Sequence, residues 1–491
     1  MTFLTKTDQS FSPNLYGTPY SLPSAQPAWR AGPGAAAKTG QPNGSGPLAA
    51  LYSQWPRFSA RRHTLRAAES AVRVDGTLAM VDPDMAAILE REEVRQRDTL
   101  ALIASENYAS VAVRQAAGSI LTNKYSEGYP GRRYYAGNEL VDAAEALAIE
   151  RAKRLFGAEH ANVQPHSGTQ ANMGAYFATV SPGDTILSME LAQGGHLSHG
   201  ASVNFSGKLY RFVHYGVRRD TEMLDYDEIE AIALRERPAL IVAGATAYPR
   251  IIDFPRFREV ADAVGARLMV DMAHIAGLVA AGVHPSPVPY ADVVTFTTHK
   301  TLRGPRGGAV LCRQDLARKV DSAIFPAIQG GPLDHIVAAK AVAFHEAAQP
   351  EYRTYQRQVV ANCQALASDM ARQGARIVSG GTDNHLFLLD LTPLGLEGQQ
   401  ASDKAERAGL VLNKNLIPFD PLPPTRASGL RVGTACATTR GLGVEEMGQV
   451  AHFLYRSLAA TDDDTLDAIA GEVRELLHDF PAPFLAPLTP A

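Results

Sequence analysis

The chain has 491 residues, a formal net charge of −4 and three cysteines. That length suits two or three domains, and the charge gives no overall basic field of the kind that gathers nucleic acid. Cys312, Cys363 and Cys436 show no CxxC pairing, which argues for a reducing compartment; no apolar run approaches the roughly 18–20 residues of a membrane span, and no Walker loop, zinc cluster or G-x-S-x-G elbow occurs.

Residues 1–80 are rich in Pro, Gly, Ser and Ala and show little hydrophobic periodicity, which reads as a disordered or targeting-like extension. Within it, 51–74 is Arg-rich, acid-poor and weakly amphipathic. Three readings fit: an organelle transit peptide, a membrane or partner-binding helix, or residues added by an upstream start codon. The segment lacks the apolar core of a secretory signal, so the expectation is a flexible extension on a cytoplasmic protein.

Residues 83–101 read as a helix capped by Asp82 with Pro83 at its first position, within an N-terminal arm over 81–120. Residues 122–135 then set Tyr125, Glu127, Tyr129, Tyr134 and Tyr135 in a loop broken by Gly128, Pro130 and Gly131. That mixture suits a site; an exposed connector is the alternative. An amphipathic helix is expected over 141–156.

The run 166–170, H-S-G-T-Q, follows a short apolar segment and precedes another helical pattern. Ser167, Gly168 and Thr169 supply hydroxyls and free backbone N–H groups, which bind phosphate at a helix N-terminus. The same residues also make an ordinary cap. Residues 191–200, L-A-Q-G-G-H-L-S-H-G, form a glycine-punctuated loop whose histidines are either solvated or placed to stack on an aromatic ring.

Short apolar strands at 239–245, 268–270, 292–298 and 309–312 alternate with helices such as 254–265. This predicts an α/β fold with a mainly parallel sheet, helices on both faces and a large domain over 121–350. Asp271 ends one strand. A carboxylate there is costly to bury without a partner. A pyridinium nitrogen is one such partner; an N-cap role is the other reading. Lys300 follows the next strand, ahead of a loop holding Gly304, Pro305, Gly307 and Gly308. Ligands bind at strand ends in such sheets, and an amine held there can lose its proton and form a Schiff base. Alone, Lys300 reads equally as a surface lysine. A strand-terminal Asp followed by a strand-terminal Lys is the arrangement used for pyridoxal 5'-phosphate (PLP). Beside that pair, the 166–170 run becomes a phosphate cradle.

Residues 325–335 read as a glycine-rich loop, followed by one helical stretch to about 373. Strands at 376–379, 385–390, 410–413 and 430–433 then mix with helices near 400–408 and 443–459. This is a smaller α+β domain over 351–491, closed by a helix over 465–480. Arg431, inside the last strand, wants a planar carboxylate, from a substrate or from the protein itself.

Several of these stretches, in this order, resemble serine hydroxymethyltransferase. They are L-I-A-S-E-N at 102–107, T-N-K-Y-S-E-G-Y-P-G-R-R-Y-Y at 122–135 and N-V-Q-P-H-S-G-T-Q-A-N at 162–172. They continue with V-D-M-A-H-I-A-G-L-V-A-A-G-V-H-P-S-P-V at 270–288 and the Lys300 stretch, 291–308. The resemblance runs from about 82 to about 458 and implies the PLP-dependent transferase fold type I. It implies that Lys300 carries PLP, that Asp271 keeps the pyridine nitrogen protonated, and that His196 stacks on the ring. His274 would hold the phenolic oxygen, and Thr246 belongs to the same cofactor set. Ser167, Gly168 and Thr169 would bind the phosphate, with Tyr125 and Gly331 reaching in from a neighbouring subunit. Ser105 and Arg431 would hold the substrate carboxylate. Glu127 would be the acid/base group at the hydroxymethyl carbon, with Tyr135 beside it and His299 tuning the site from next to the lysine. Tetrahydrofolate would lie over Leu191, Gly195, His196 and Leu197, with Asn415 at its pterin and Pro423, Pro424 and Thr425 bordering the pocket.

The implied reaction converts L-serine and tetrahydrofolate to glycine and 5,10-methylenetetrahydrofolate. A shared site implies a homodimer or a tetramer; no metal, nucleic acid or membrane is expected. The chain departs from the family pattern at Gln193, usually His; Thr246, usually Ser; and Phe296, usually Thr. It also departs at Cys436 in G-T-A-C, usually G-T-P-A, and at Thr425 in P-P-T, usually P-P-F or S-P-F. These changes bear on folate and substrate more than on PLP. A methylserine hydroxymethyltransferase, a threonine aldolase or a transaldolase would keep the same PLP residues. A non-catalytic scaffold would have no need of Lys300, Asp271, Glu127 and Arg431 together.

Overall fold

Seven strands make the central sheet: β1 (His160–Asn162), β2 (Thr185–Met189), β3 (Arg211–Tyr215), β4 (Leu240–Ala243), β5 (Arg267–Asp271), β6 (Val293–Thr297) and β7 (Gly308–Cys312). Residues 76–483 are described by this computed structural model, and all of them fall in one unit that begins at Asp75. The expectations for the extension up to 75 lie outside the described residues. Among the described residues no helix is long and apolar enough to cross a membrane.

The strand order is β1-β7-β6-β5-β4-β2-β3. Strands β6, β5, β4, β2 and β3 pair in parallel, and β7 runs antiparallel to both its neighbours. Because β7 is reversed, its first residue, Gly308, pairs with Thr297 at the last residue of β6. The carboxyl ends of the parallel strands and the start of β7 therefore share one edge, where α/β sheets bind ligands.

Strands buried on both faces read as continuous apolar runs, and side chains still alternate between the faces. Leu268, Val270, Val294 and Phe296 enter one core with Phe156 and Phe344. Met269, Val293, Leu240 and Val242 enter the other, with Ala171, Ala175 and Tyr176 of the helix Gly168–Thr179. The same alternation puts Asp271, Thr295 and Thr297 on that helix's side of the sheet.

The C-terminal third folds around four antiparallel strands: β8 (Arg376–Ile377), β9 (Leu386–Asp390), β10 (Asn413–Asn415) and β11 (Gly429–Gly433), ordered β8-β9-β11-β10. Helices Gly398–Arg407, Val444–Ala459 and Asp463–Asp479 share its core. The mainly parallel large sheet and the smaller α+β layer are as the sequence predicts.

Four expectations change in detail. The helix opened by Asp82 (α1, Pro83–Asp98) is capped as expected, with Asp82 accepting from the Met85 N–H, but it stops before Leu100. Leu100–Ala101 instead pairs in parallel with Leu410–Val411, so the predicted 410–413 strand splits between that pair and β10. The single helical stretch to about 373 is two helices, Asp334–Ala347 and Pro350–Arg372, because Pro350 starts a helix well but cannot continue one. The 325–335 loop also carries a kinked helical turn, Ala323–Ile328, at its start.

Candidate active site

At the shared edge of the sheet lies a cavity of about 480 Å³. Its walls come from six places. Ser105 and Glu106 lie on the N-terminal segment; Leu191, Gly195, His196 and Leu197 follow β2; Ala245 and Thr246 follow β4. Asp271, His274, Thr297, His299 and Lys300 come from β5, β6 and their loops, joined by Ser167–Thr169 and by Arg431 of β11.

Asp271 is the last residue of β5, on the face covered by the helix Gly168–Thr179. Its Oδ2 accepts from the Asn172 amide at 2.8 Å and lies 3.1 Å from His199 Nε2. Its Oδ1 accepts from the Ala273 N–H at 3.0 Å. The residue therefore makes a local turn and is not the cap of the next helix, whose N-cap is Ile275. Thr295 completes the support by donating to Asn172 Oδ1 at 2.5 Å. Burial alone would raise the Asp271 carboxyl, but His199, His196 and Asn172 hold it well below the usual carboxylate range. It is a fixed negative charge.

Lys300 follows β6 and is 8 % exposed. Burial lowers its amine to about 8; the Asp271 charge opposes that shift, and Arg431 and Arg306 add to it. Such an amine is partly neutral near physiological pH, as a nucleophile must be. Neighbouring His299 is lowered to about 3 by burial and by Arg306 and Lys300, and His196 to about 4 by burial and His199. Both rings are therefore uncharged. His196 Nδ1 lies 2.7 Å from Ser198 Oγ, which also accepts from Asn172 at 2.8 Å.

His274 is buried, with Nε2 unpartnered, and its pKa is pushed well down by burial and then by Lys300 and Arg431. Its Nδ1 lies 3.3 Å from Nε2 of His385, the rings 28° from parallel. Ser167 caps the helix Gly168–Thr179 by accepting from Gln170 N–H at 3.2 Å. Glycine is required behind it, since a β-carbon at Gly168 would sit 2.5 Å from Thr297 Cγ2.

Arg431 is 7 % exposed and is lowered to about 10 by burial. It donates to the Thr246 carbonyl at 3.1 Å, to Asn413 Oδ1 at 3.3 Å and to Ser105 Oγ at 3.4 Å, while Nε has no partner. Every partner is neutral. A buried guanidinium among neutral acceptors is a site for an incoming carboxylate.

Other expected residues stand apart from this cavity. Tyr125 donates to Glu127 Oε1 at 3.2 Å, its ring meets Tyr135 edge-on at 5.1 Å, and Gly331 packs beneath it. Tyr125 and Tyr135 are exposed, and none of these four residues lines the Lys300 cavity of its own chain. Asp334 anchors that loop by accepting from Ser126 Oγ at 2.6 Å. Asn415 and Pro423–Thr425 also lie outside the lining, with 423–425 on an exposed turn. Leu191 and Leu197 reach the cavity and are partly exposed at its wall.

Asn172, Ser198, His199, Thr295 and His385 belong to the site but are not among the sequence-based choices. Asn172 closes the 162–172 stretch one helical turn beyond Gly168, and His199 is the second histidine of the 191–200 loop; those were the available signals. Thr295 follows from strand alternation with Thr297. His385 adjoins β9, far away in sequence, and carries no local signal.

The departures now have places. Phe296 faces the core, 5.0 Å from Phe156 and 6.3 Å from Phe344 ring to ring, on the side of the sheet opposite Asp271. Gln193 accepts from the Val217 N–H at 2.8 Å. Cys436 is buried beside Ala101 and Tyr108.

The cavity suits the implied cofactor on its own chemistry. It combines an amine of lowered pKa, a fixed carboxylate, a capped helix N-terminus and uncharged rings in one pocket.

The family model described as serine hydroxymethyltransferase matches residues 78–454. A serine hydroxymethyltransferase of Myxococcus xanthus is 60% identical over 406 residues, spanning 82% of this chain and 97% of that protein. One of Acidobacterium capsulatum is 57% identical over 410 residues, spanning 83% of this chain and 96% of its own.

Proposed function

The chain belongs to the serine hydroxymethyltransferase family, and from that premise we propose that its cavity uses PLP to move the hydroxymethyl carbon of L-serine to tetrahydrofolate. The products are glycine and 5,10-methylenetetrahydrofolate. The observation that carries the reading is the convergence of Lys300, Asp271 and unpaired Arg431 on one cavity.

Bound there, PLP supplies an electron sink for the charge left on the amino acid's α-carbon when the bond to the hydroxymethyl group breaks. The protein's residues do the rest. Lys300 would hold the cofactor through its amine, whose lowered pKa suits it to bond an aldehyde carbon. Asp271, fixed by Asn172 and His199, would hold a proton on the pyridine nitrogen. His196 would pack against the ring, and His274, whose Nε2 has no hydrogen-bond partner, would hold the phenolic oxygen. Ser167, Gly168 and Thr169 bind the phosphate with a hydroxyl and first-turn N–H groups.

Arg431 binds the substrate carboxylate in a fork, with Ser105 adding a hydroxyl. Glu127 moves a proton at the substrate hydroxyl, flanked by Tyr135. The Glu127 cluster is outside its own chain's cavity; on this reading it serves the Lys300 site of a second copy, and the working unit is at least a homodimer. Leu191, Gly195 and Leu197 give the folate an apolar wall.

The test is turnover of serine by purified protein supplied with PLP. Glycine formation that depends on tetrahydrofolate is the expected result. Equal turnover without folate would point to cleavage of another β-hydroxy amino acid.

A further inference from the structure

The 163–169 segment is held from behind by a lysine that the mechanism above does not use. Lys340, in the helix Asp334–Ala347, is 1 % exposed. Its Nζ donates to the carbonyls of Val163 at 2.6 Å, Pro165 at 3.0 Å and Gly308 at 2.8 Å. Val163 and Pro165 lead into Ser167–Thr169. Gly308 starts β7, directly after the Lys300 loop.

The two segments also touch each other. The Gly308 N–H donates to the Pro165 carbonyl at 3.0 Å, and a β-carbon at Gly308 would collide with the Ser167 carbonyl. Lys340 closes this contact from the interior. Three carbonyls match the three N–H bonds of an ammonium; a neutral amine would set a lone pair against one of them. Its three hydrogen-bond partners are uncharged; burial lowers its amine to about 7, the Glu145 carboxylate opposes that shift, and three carbonyl acceptors favour the ammonium form. That charge is felt at His166, whose pKa is lowered by burial and then by Lys340.

We propose that Lys340 is a positioning residue for the cofactor phosphate: it fixes 163–169 against the Lys300 loop and sets a positive charge behind the phosphate-binding N–H groups. The proposal rests on the reading of the Gly168–Thr179 N-terminus as the phosphate cradle. A phosphate of charge near −2 gains from aligned N–H groups and from a cation behind them. Pyridoxal has the same ring and aldehyde without the phosphate and gains nothing from either.

The test compares the equilibrium affinities of the cofactor-stripped enzyme for PLP and for pyridoxal. Lys340→Met should cut the preference for PLP over pyridoxal by about tenfold or more. Lys340→Gln, which keeps two N–H donors without the charge, should fall between it and the wild type. Gly307→Ala approaches from the other side, since its added methyl would lie 2.5 Å from Lys340 Cε. It should lower the preference in the same direction, and it serves if neither lysine variant folds. Equal losses for both ligands, or an unchanged preference in every folded variant, would reduce Lys340 to a purely structural lysine and overturn the proposal. Wild-type enzyme that binds neither ligand would overturn the cofactor reading, and this one with it.

Discussion

Arg431 Nη2 lies 3.4 Å from Ser105 Oγ, so a strand of the small sheet and the N-terminal segment meet at one guanidinium that has no carboxylate partner. Removing one member of a buried, hydrogen-bonded charge pair costs about 2–5 kcal/mol. Arg431→Lys loses the planar fork and keeps the charge. It should raise the serine KM by about 30-fold or more while the enzyme retains its PLP, since the loss falls on substrate binding. Steady-state kinetics with a parallel cofactor assay checks this. An unchanged KM would release Arg431 from the substrate.

Lys300 supplies a pH dependence with a definite sign. Its amine must be neutral to attack an aldehyde carbon, and burial lowers its pKa to about 8. The rate of PLP attachment to cofactor-stripped enzyme should therefore rise with pH, with a midpoint near 8, then level off. An ordinary lysine would still be gaining rate near 10.5. The Asp271 charge opposes the lowering, so Asp271→Asn should move the midpoint to lower pH. Rapid-mixing absorbance across the pH range reads both midpoints.

Glu127 and Lys300 stand in separate clusters of one chain, which makes complementation between chains a direct check. Lys300→Ala and Glu127→Gln should each be inactive, the second with its PLP intact. After unfolding and co-refolding in equal amounts, random pairing should restore about a quarter of the wild-type sites. Failure to restore any activity would place Glu127 at its own chain's cavity or remove it from the chemistry.

Phe296 sits between Phe156 and Phe344 in the core behind β6. Phe296→Thr should cost about 3 kcal/mol of stability through the cavity it leaves, judged by thermal melts. PLP affinity should be nearly unchanged, because the neighbouring residues Thr295 and Thr297 face the site. A large loss of PLP affinity without a fall in melting temperature would contradict that division of faces.

The site is legible in the sequence where its residues lie in single short runs. Asp271 and Lys300 each end an apolar run, and Ser167 opens a helical one, so strand ends and a helix cap are visible without a structure. Thr295 and Phe296 show what alternation adds: neighbours in the chain serve opposite faces, and a departure at Phe296 is a matter of packing. Support assembled across long sequence separations does not show. His385 reaches His274 from the small sheet, and Lys340 reaches the 163–169 segment from a later helix. The break at Pro350 was readable, since proline opens helices and cannot continue them. The split of Leu410–Val411 from β10 was not, because it depends on Leu100–Ala101 arriving as a partner.

The most direct measurement is to find which lysine holds the cofactor. PLP-loaded enzyme is reduced with borohydride, digested and mapped by mass spectrometry, with Lys300→Ala treated alongside. A single pyridoxyl-lysine at Lys300, absent from the variant, is the predicted result. A label on another lysine, or none at all, would contradict the central claim that the cavity between Asp271 and Arg431 is where the chemistry happens.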